Sequence, residues 1–495
     1  MKTSYDVIVV GASNAGGFAA CAAAENGAKT LLIDSHANSA NLFRHWLGSV
    51  NSKAQKEAGI NIDQNKLIEF LSAFAQDNND QSLLQKWVEK SGATIDWLDE
   101  KILSQHGDHI YVETDADTDT LINTAFPTEQ HVTRDDKSSD LNWGKYVLDY
   151  AQKNGVDIAY NTKLEHLIKK NGRIVGTILR NTESNEIIEI AAKNVILCTG
   201  GYGANEALIE KWAPTLLKKC VYTQSPRDDG SGIVAGLEVG AQKDDEPASI
   251  IFDRGQVPVG TNVLDTYIKM WNVPQFVLAS YPLLKVNLKG QRFFNESAPY
   301  QFSMNSLLHQ PGNLEVVVWD ENTLEHLADF HTLGCARLGW PGIADTALQK
   351  KIIESGIEAG TVHKADTIEA LAKEMHLPVK EFTKTVQTYN QACGVGKDSQ
   401  FGKEASKLIS VSKGPFYAVT VGGNLLATLD GLKINTDMQV VDRNYDPIPG
   451  LYAAGNCSGG FFWGAYPDRI PGLTCGHAIT FGRLAGINAA KSFVN

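Results

Sequence analysis

The segment from Asp6 to Asp34 limits the folds available to this chain more than any other part of it. Asp6–Val10 is an apolar run of strand length, a glycine-bounded turn and an alanine-rich segment follow it, and Thr30–Asp34 is a second apolar run. Strand, turn, helix and strand within 29 residues is the expected size of a βαβ unit. We therefore predict an α/β fold whose sheet contains these two strands.

The turn of this unit runs from Gly11 to Gly16 and has the G-x-G-x-x-G spacing of dinucleotide-binding turns, with Ser13 in place of the middle glycine. The first glycine permits the tight turn, and the last lets helix and strand approach, so that helix N–H groups face a pyrophosphate. Asp34 ends the second strand, where its carboxylate can accept hydrogen bonds from ribose hydroxyls. A glycine turn without a ligand would not explain an acid at the end of an apolar strand. The unit therefore predicts a dinucleotide site.

Composition narrows the class of protein. The chain has 495 residues, a formal net charge of −12 and 43% hydrophobic residues, which suits two or three domain-sized units with a large core. The acidic balance, without a run of Lys and Arg, argues against a nucleic-acid surface. The seven Cys occur singly and without a CxxC pair or zinc spacing, so we expect reduced thiols, a cytoplasmic protein and no metal site.

The N-terminal apolar stretch, Val7–Ala24, could be mistaken for a signal peptide. Asn14 and several glycines interrupt it, so a buried strand and a glycine turn explain it better. No other stretch approaches the 18 or more apolar residues of a membrane span, and we expect no membrane contact.

Patterns along the rest of the chain predict one discontinuous domain with a second domain inserted into it. Helices are expected over residues 62–105 and 345–393, and strands within 156–191, 194–199, 283–288 and 314–319. From Gly414 onward the sequence again consists of apolar runs of strand length separated by glycines, as in the first segment. The predicted first domain therefore consists of residues 1–240 and 413–495, and the inserted domain of residues 241–412.

Two segments near the C-terminus favour FAD over NAD as the dinucleotide. Gly450–Asn456 has the pattern of a strand and turn that would contact a second face of a long, buried cofactor. Gly472–Gly486 has the pattern of a helix that opens on a glycine. The N-terminus of such a helix can stabilise a ring that becomes anionic on two-electron reduction.

An ordered set of six segments spans nearly the whole chain: Asp6–Gly17, Val195–Gly201, Asp229–Ile233, Arg292–Glu296, Gly450–Asn456 and Gly472–Gly486. The set resembles the fumarate reductase and 3-ketosteroid dehydrogenase superfamily of flavoproteins. The resemblance implies a Rossmann-like FAD-binding domain of the glutathione-reductase type with an inserted α+β capping domain, and a substrate held between cap and flavin.

The same resemblance implies how FAD is held. The candidate FAD-binding residues are Gly11, Ser13, Asn14, Ala15, Gly16, Asp34, Ser35, Gly48, Asn51, Thr199, Gly200, Asp229, Asn456, Gly472, Leu473 and Thr474. Related succinate dehydrogenases attach FAD covalently through a histidine. Here Leu42 occupies the aligned position and His45 lies three residues away, so non-covalent FAD is expected.

The resemblance also points to the residues that carry the chemistry. Fumarate reductases of this superfamily have an arginine as proton donor shortly after an R-F-x-N-E segment, but here Arg292–Glu296 is followed by Tyr300 at that position. The histidine pair expected near Leu425–Gly431 is also missing. Asn295–Tyr300 and Tyr466 with its following proline resemble the ketosteroid dehydrogenases, in which one tyrosine handles a proton and another hydrogen-bonds the substrate carbonyl. A packed aromatic side chain is the alternative for each tyrosine.

Arg469 completes the set of catalytic candidates. It lies near the position of a carboxylate-binding arginine of the superfamily, in a loop longer than the glycine-rich loop of ketosteroid dehydrogenases. The resemblance to ketosteroid dehydrogenases makes a steroid-like compound a candidate substrate. Because arginine suits a carboxylate or a phenolate, a small aromatic enone, hydroxycinnamate, vinylphenol or isoflavone-type compound is an equally plausible substrate.

The expected function is therefore FAD-dependent reduction or dehydrogenation of a carbon–carbon bond next to a carbonyl group or phenol ring. Two alternatives stay open: a dicarboxylate reductase similar to fumarate reductase, and an electron-transfer flavoprotein with a protein partner. Electrons would come from NAD(P)H or from a separate donor. The sequence leaves the direction of the reaction and the oligomeric state undetermined.

Overall fold

The computed structural model describes residues 1–40, 43–44, 46–112, 126–134, 143–266, 275–330 and 346–492. The strands are β1 (Ser4–Val10), β2 (Thr30–Ile33), β3 (Leu47–Gly48), β4 (Asp108–Val112), β5 (Glu129–Arg134), β6 (Asp157–Ala159), β7 (Thr162–Lys170), β8 (Arg173–Asn181), β9 (Ile187–Leu197), β10 (Cys220–Thr223), β11 (Ala248–Val257), β12 (Leu284–Asn287), β13 (Glu315–Asp320), β14 (Val362–Ala365), β15 (Phe416–Thr428), β16 (Gln439–Val441), β17 (Pro447–Ala453) and β18 (Gly464–Ala465). The α-helices are α1 (Asn14–Glu25), α2 (Lys53–Glu57), α3 (Gln64–Phe74), α4 (Gln81–Lys101), α5 (Trp143–Lys153), α6 (Glu206–Trp212), α7 (Leu216–Lys219), α8 (Ser231–Glu238), α9 (Tyr300–Ser306), α10 (Thr346–Glu358), α11 (Ile368–Glu374), α12 (Val379–Val395) and α13 (Leu473–Lys491).

The βαβ unit predicted at the N-terminus is confirmed. β1 pairs in parallel with β2, with Val7 opposite Thr30, and α1 connects them. β9 and β17 continue the sheet in parallel on the other side of β1, so strands distant in sequence form one layer. Within the described residues this sheet has the order β16-β17-β9-β1-β2-β6, and β8 and β7 extend from β9. β2 is buried along its whole length, and the last four residues of β1 and of β9 are also buried because helices cover this part of the sheet.

A second sheet is centred on the long strand β15. Its order is β12-β13-β15-β11-β18, and β10 and β14 also pair with β15. Side chains of β13 alternate between two apolar clusters: Val316 and Val318 pack towards Phe382, whereas Val317 and Trp319 pack towards Phe276. The sheet is therefore covered on both faces.

The prediction of helix throughout residues 345–393 is wrong for a short segment in the middle of this range. Residues Val362–Ala365 form β14 between α10 and α11, because they complete an antiparallel ladder with β15, in which Val362 lies opposite Val419. The strands expected within 283–288 and 314–319 are confirmed as β12 and β13. β10 and β15 belong to the second sheet although they lie outside residues 241–412, and the domain boundaries stay a prediction.

Helix α13 meets α1 along its backbone rather than through side chains. A Cβ added at Gly482 would overlap the backbone oxygen of Ala15, and one added at Gly486 would overlap that of Ala19. At the other end of α13, a Cβ at Gly476 would overlap the backbone of Gly48 in β3. Glycines therefore bring α13, α1 and β3 into direct contact. None of the helices within the described residues has the length and apolar character needed to cross a bilayer.

We expect Gly482→Ala to lower the free energy of unfolding by about 1–3 kcal/mol, because the added methyl group forces α13 away from α1. The matched control is Gly394→Ala in α12, where nothing lies within 4 Å of an added Cβ. Alanine has the higher helix propensity, so the control should be neutral or stabilising by up to about 1 kcal/mol. Urea denaturation of both variants measures the difference, and an equal effect in both would contradict the close packing.

Candidate active site

An elongated groove follows the carboxyl ends of the strands of the first sheet. It consists of a small cavity beside β1 and β2 and a larger one of about 560 Å³ that reaches the second sheet. The two cavities share lining residues, among them Ser13, Gly200 and Asp228, so they are continuous. An extended ligand with two ends suits this shape.

Two helix N-termini open onto the larger cavity. α1 begins after Ser13 and α13 after Gly472, and neither helix has a side-chain hydrogen bond that caps its first turn. Gly472 has a φ of 74°, which glycine adopts without strain. The N–H groups of both first turns can therefore be donated to a ligand, and both helix dipoles favour negative charge in the cavity. This arrangement fits the pyrophosphate and reducible ring of a flavin dinucleotide.

Most of the sixteen predicted cofactor residues line the groove. The small cavity is lined by Gly11, Ser13, Asp34, Ser35, Thr199, Gly200 and Asp229, and the larger by Ser13, Asn14, Ala15, Gly200, Asn456, Gly472 and Thr474. Asp34 is held at the small cavity by the backbone N–H groups of Ala12 and His36, each 3.0 Å from one carboxylate oxygen.

The other four predicted cofactor residues do not line either cavity. Gly16 lies against the backbone of Gly11, and Gly48 lies against that of Gly472. The Asn51 side chain donates to and accepts from the backbone of Ile62 at 2.9 and 2.7 Å. Leu473 is fully buried. Gly16 and Gly48 thus lie directly behind Gly11 and Gly472, which line the groove. Leu42 and His45, on which the expectation of non-covalent FAD depends, lie outside the described residues.

Tyr300 and Tyr466 come together at the larger cavity. Tyr300 is the first residue of α9 and is 4% exposed, and its ring lies edge-to-face against Phe252 of β11 at 4.9 Å between centroids. The side-chain oxygen of Gln301 accepts hydrogen bonds from the backbone N–H groups of Tyr466 and Ile251, each at 3.2 Å. One glutamine side chain thus fixes the two tyrosine segments against β11.

A buried ion cluster anchors the start of the segment that carries Tyr300. Arg292 donates to both carboxylate oxygens of Glu296 at 2.7 Å and to those of Asp398 at 3.1 and 2.9 Å. Burial alone would raise the pKa of Asp398, but the hydrogen bonds from Arg292 hold it well below its usual value. Lys403 lies 3.6 Å from Glu296 and completes the cluster. The R-F-F-N-E segment is therefore a structural anchor at this end.

Arg469 is not among the described residues that line the larger cavity. Its guanidinium donates to the backbone oxygen of Ser297 at 3.1 Å and lies 3.9 Å from the Asp468 carboxylate. The other carboxylate oxygen of Asp468 accepts from the backbone N–H of Tyr300 at 3.3 Å. Arg469 and Asp468 thus hold the backbone at the start of α9 and just before it.

Sequence reasoning missed Arg254, which lines the larger cavity from β11. The signal was present, because Asp253 and Arg254 stand inside a strand that otherwise begins with an apolar run, Ala248–Phe252. An acid at the end of an apolar strand pointed to Asp34, and charged residues within β11 carry the same kind of information. Arg44 and Arg227 also line the groove.

Asp228 lies where the two cavities join and was also missed. Burial raises its pKa to about 7, and the hydrogen bond from the backbone of Gly201 and the charge of Arg44 only partly oppose this. The neighbouring Asp229 raises the pKa further, although Lys163 pairs with Asp229 at 2.7 Å. A neutral carboxyl at this point can donate a hydrogen bond to an anionic ligand. Within the described residues, no cluster of His, Cys, Asp and Glu is placed to hold a metal ion.

Comparison with known proteins agrees with this geometry. Residues 6–469 match the family of FAD binding domains. The chain is 30% identical to the vinyl phenol reductase of Lactiplantibacillus plantarum over 99% of this chain and 97% of that protein. It is 27% identical to a fumarate reductase (cytochrome) of Shewanella frigidimarina over 99% of this chain and 77% of that protein. The crystal structure of a 3-ketosteroid Δ1-dehydrogenase from Sterolibacterium denitrificans shares the fold, with a TM-score of 0.76 and 19% identity over 99% of this chain and all of that one.

We expect Asp228→Asn to become progressively more stabilising as the pH rises from about 4 to about 7. The unfolded chain loses the Asp228 proton near pH 4, whereas the folded protein keeps it up to about pH 7, so the wild type loses stability in this window. Above the window the variant should be more stable by about 1–3 kcal/mol. Melting temperatures between pH 4.5 and 8.5 test this, with Asp446→Asn at an exposed site as the control. Parallel pH profiles for wild type and Asp228→Asn would contradict the prediction.

Proposed function

The chain belongs to the family of FAD binding domains, and within it we propose a reductase of carbon–carbon double bonds conjugated to a phenol ring or a carbonyl group. Proposed substrates are small aromatic compounds such as a vinylphenol or a hydroxycinnamate. The observation that carries the proposal is that Tyr300 and two uncapped helix N-termini face one cavity. Similarity to a vinyl phenol reductase over 99% of the chain supports the same class of substrate.

FAD would lie along the groove without a covalent bond and would supply the hydride that reduces the double bond. The first turn of α1 would bind the pyrophosphate, and Asp34 would accept from the ribose hydroxyls. The first turn of α13 would face the ring and favour its anionic form. NAD(P)H or a separate donor would reduce the flavin.

Tyr300 would donate the proton that completes reduction of the double bond. A phenol with a pKa near ~10 is a weak acid, but a carbanion that forms next to a carbonyl or phenol ring is a strong enough base to take its proton. Tyr466 would hold the substrate oxygen by a hydrogen bond. The apolar side chains of Ile250, Phe252 and Leu426, which line the cavity, would exclude water from the reacting carbons.

The purified protein should be yellow and carry about one FAD per chain, because the groove suits one flavin dinucleotide. Acid precipitation should release the colour into the supernatant as FAD, which absorbance and chromatography identify. Colour that stays in the pellet would show a covalent bond, and a colourless protein that binds only NAD would overturn the proposal.

The Tyr300→Phe variant should reduce alkenes roughly 10²–10⁴-fold more slowly, because the ring still packs against Phe252 but the proton donor is gone. Dithionite-reduced protein is mixed anaerobically with 4-vinylphenol, 4-hydroxycinnamate, an aromatic enone or fumarate, and flavin re-oxidation is followed by absorbance. Fumarate should react poorly in the wild type because residue 300 is not arginine.

Two controls show whether a loss of activity comes from the missing hydroxyl group or from a damaged structure. FAD content and melting temperature should barely change in Tyr300→Phe, and Tyr146→Phe in α5, which does not line the cavity, should react as the wild type does. Near-normal turnover in Tyr300→Phe would assign Tyr300 to packing alone. Preferred turnover of fumarate would assign the chain to the dicarboxylate reductases.

A further inference from the structure

The cap side of the larger cavity contains a buried cation next to Tyr300. Arg254 is 6% exposed, lines the cavity, and holds its guanidinium carbon 4.4 Å from the centroid of the Phe252 ring. The same Phe252 ring contacts Tyr300 at 4.9 Å. Phe252 therefore touches a cation and the proposed proton donor.

We infer that Arg254 is the specificity-determining residue that binds an anionic oxygen group, a carboxylate or a phenolate, on the aromatic substrate. This inference rests on the proposed function and deepens it by naming the group that the site recognises. A substrate that spans Phe252 would present its anionic oxygen to Arg254 and its double bond to Tyr300.

The orientation of the guanidinium is fixed before any ligand arrives. Its Nε donates to the Ser280 hydroxyl at 2.6 Å, and a terminal nitrogen donates to the Gln275 side-chain oxygen at 3.3 Å. Ser280 in turn donates to Asp253, whose other oxygen lies 2.5 Å from Lys285. Asp253 therefore has a buried cation of its own, and Arg254 is positioned through Ser280. A positioned guanidinium loses little freedom when it binds a planar anion.

The surroundings strengthen attraction for an anion. Ile250, Phe252, Val277 and Leu426 line the same cavity, and charges interact more strongly where apolar walls reduce the effective dielectric. Hydrogen bonds between arginine and a carboxylate or phenolate are charge-assisted and about twice as strong as neutral ones.

The other arginines of the groove serve a different part of it. Arg227 lines both cavities and donates to the backbone oxygen of Asn38, and the charge of Arg44 acts on Asp228. These two lie towards the proposed cofactor. Arg254 lies on β11, the strand that also carries Phe252 and is fixed to α9 through Gln301. The role that the sequence suggested for Arg469 is thus assigned to Arg254.

The test compares ligands that have a free carboxylic acid or phenol with analogues in which one of these groups is methylated. Titration of the oxidised, FAD-loaded protein is followed by the flavin absorbance change with 4-hydroxycinnamate, its methyl ester, 4-methoxycinnamate, 4-vinylphenol and 4-methoxystyrene. Arg254→Met should weaken binding of ligands that carry the recognised anionic group by about 10- to 100-fold and change binding of the neutral analogues less than about threefold. Arg254→Lys should show an intermediate loss.

The two possible anions are separated by the methylated ligands. Loss with 4-methoxycinnamate but not with the methyl ester assigns Arg254 to the carboxylate, and the reverse assigns it to the phenolate. Arg180→Met, at a surface pair with Glu165, is the control for removal of an arginine. An equal loss for charged and neutral ligands, or no loss, would overturn the inference.

Two features keep the result interpretable. If Arg254→Met does not retain FAD, Arg254→Lys decides, because it keeps the charge but lacks the planar guanidinium and should weaken binding of the recognised anion while it leaves the methylated analogue unchanged. Binding to the oxidised protein needs no turnover. Failure of the wild type to reduce any alkene would therefore refute the proposed function, whereas weaker anion binding by the Arg254 variants would still support the inference about Arg254. Turnover of an alkene without a charge preference in binding would refute only the role of Arg254.

Discussion

Direct backbone contact between α13, α1 and β3 is the constraint on which the rest of the structure depends. Gly482 and Gly486 remove the side chains that would separate α13 from α1, and Gly476 does the same against β3. Helices that pack through side chains lie about 8–10 Å apart, which would move the two N-termini away from each other. Because the glycines allow a shorter separation, two helix dipoles meet at one cavity, and the first sheet, the groove and the second sheet are arranged around that point.

The electrostatics of the groove change along its length. Near α1 and α13 the positive potential comes from backbone N–H groups, which need no counter-charge and carry no proton to lose. At the junction, desolvation raises the pKa of Asp228 to about 7, so that its negative charge is weakened near neutral pH. Under the cap the potential comes from the formal charge of Arg254, which Ser280 and Gln275 hold in place. The larger cavity therefore favours anions at the helix N-termini and at Arg254, although the chain as a whole has a net charge of −12.

The sequence predicted the parts of the site that local backbone geometry determines. Gly11, Asp34 and Gly472 mark turns and strand ends that follow from neighbours in the chain, and the structure places all three at the groove. β14 could not be predicted in this way, because it depends on pairing with β15, which is distant in sequence. The charged pair Asp253 and Arg254 was a local signal, but its position beside α9 depends on contacts between segments that are distant in sequence. Arg469 lies in a segment that resembles the superfamily, yet its guanidinium contacts Ser297 and Asp468, and Arg469 is not among the described residues that line the larger cavity. The sequence therefore predicted the fold and the residues that line the groove near the helix N-termini better than those that line it at β11.

The ion cluster of Arg292, Glu296 and Asp398 secures the segment before Tyr300 at a point that does not line the cavity. Its hydrogen bonds join Arg292 to Glu296 and Asp398 and do not use the side chain at position 300. The side chain at position 300 can therefore change by a single substitution without removal of the anchor that places it. Variation at this position is then limited by how well the new side chain packs against Phe252, and the anchoring cluster does not restrict it.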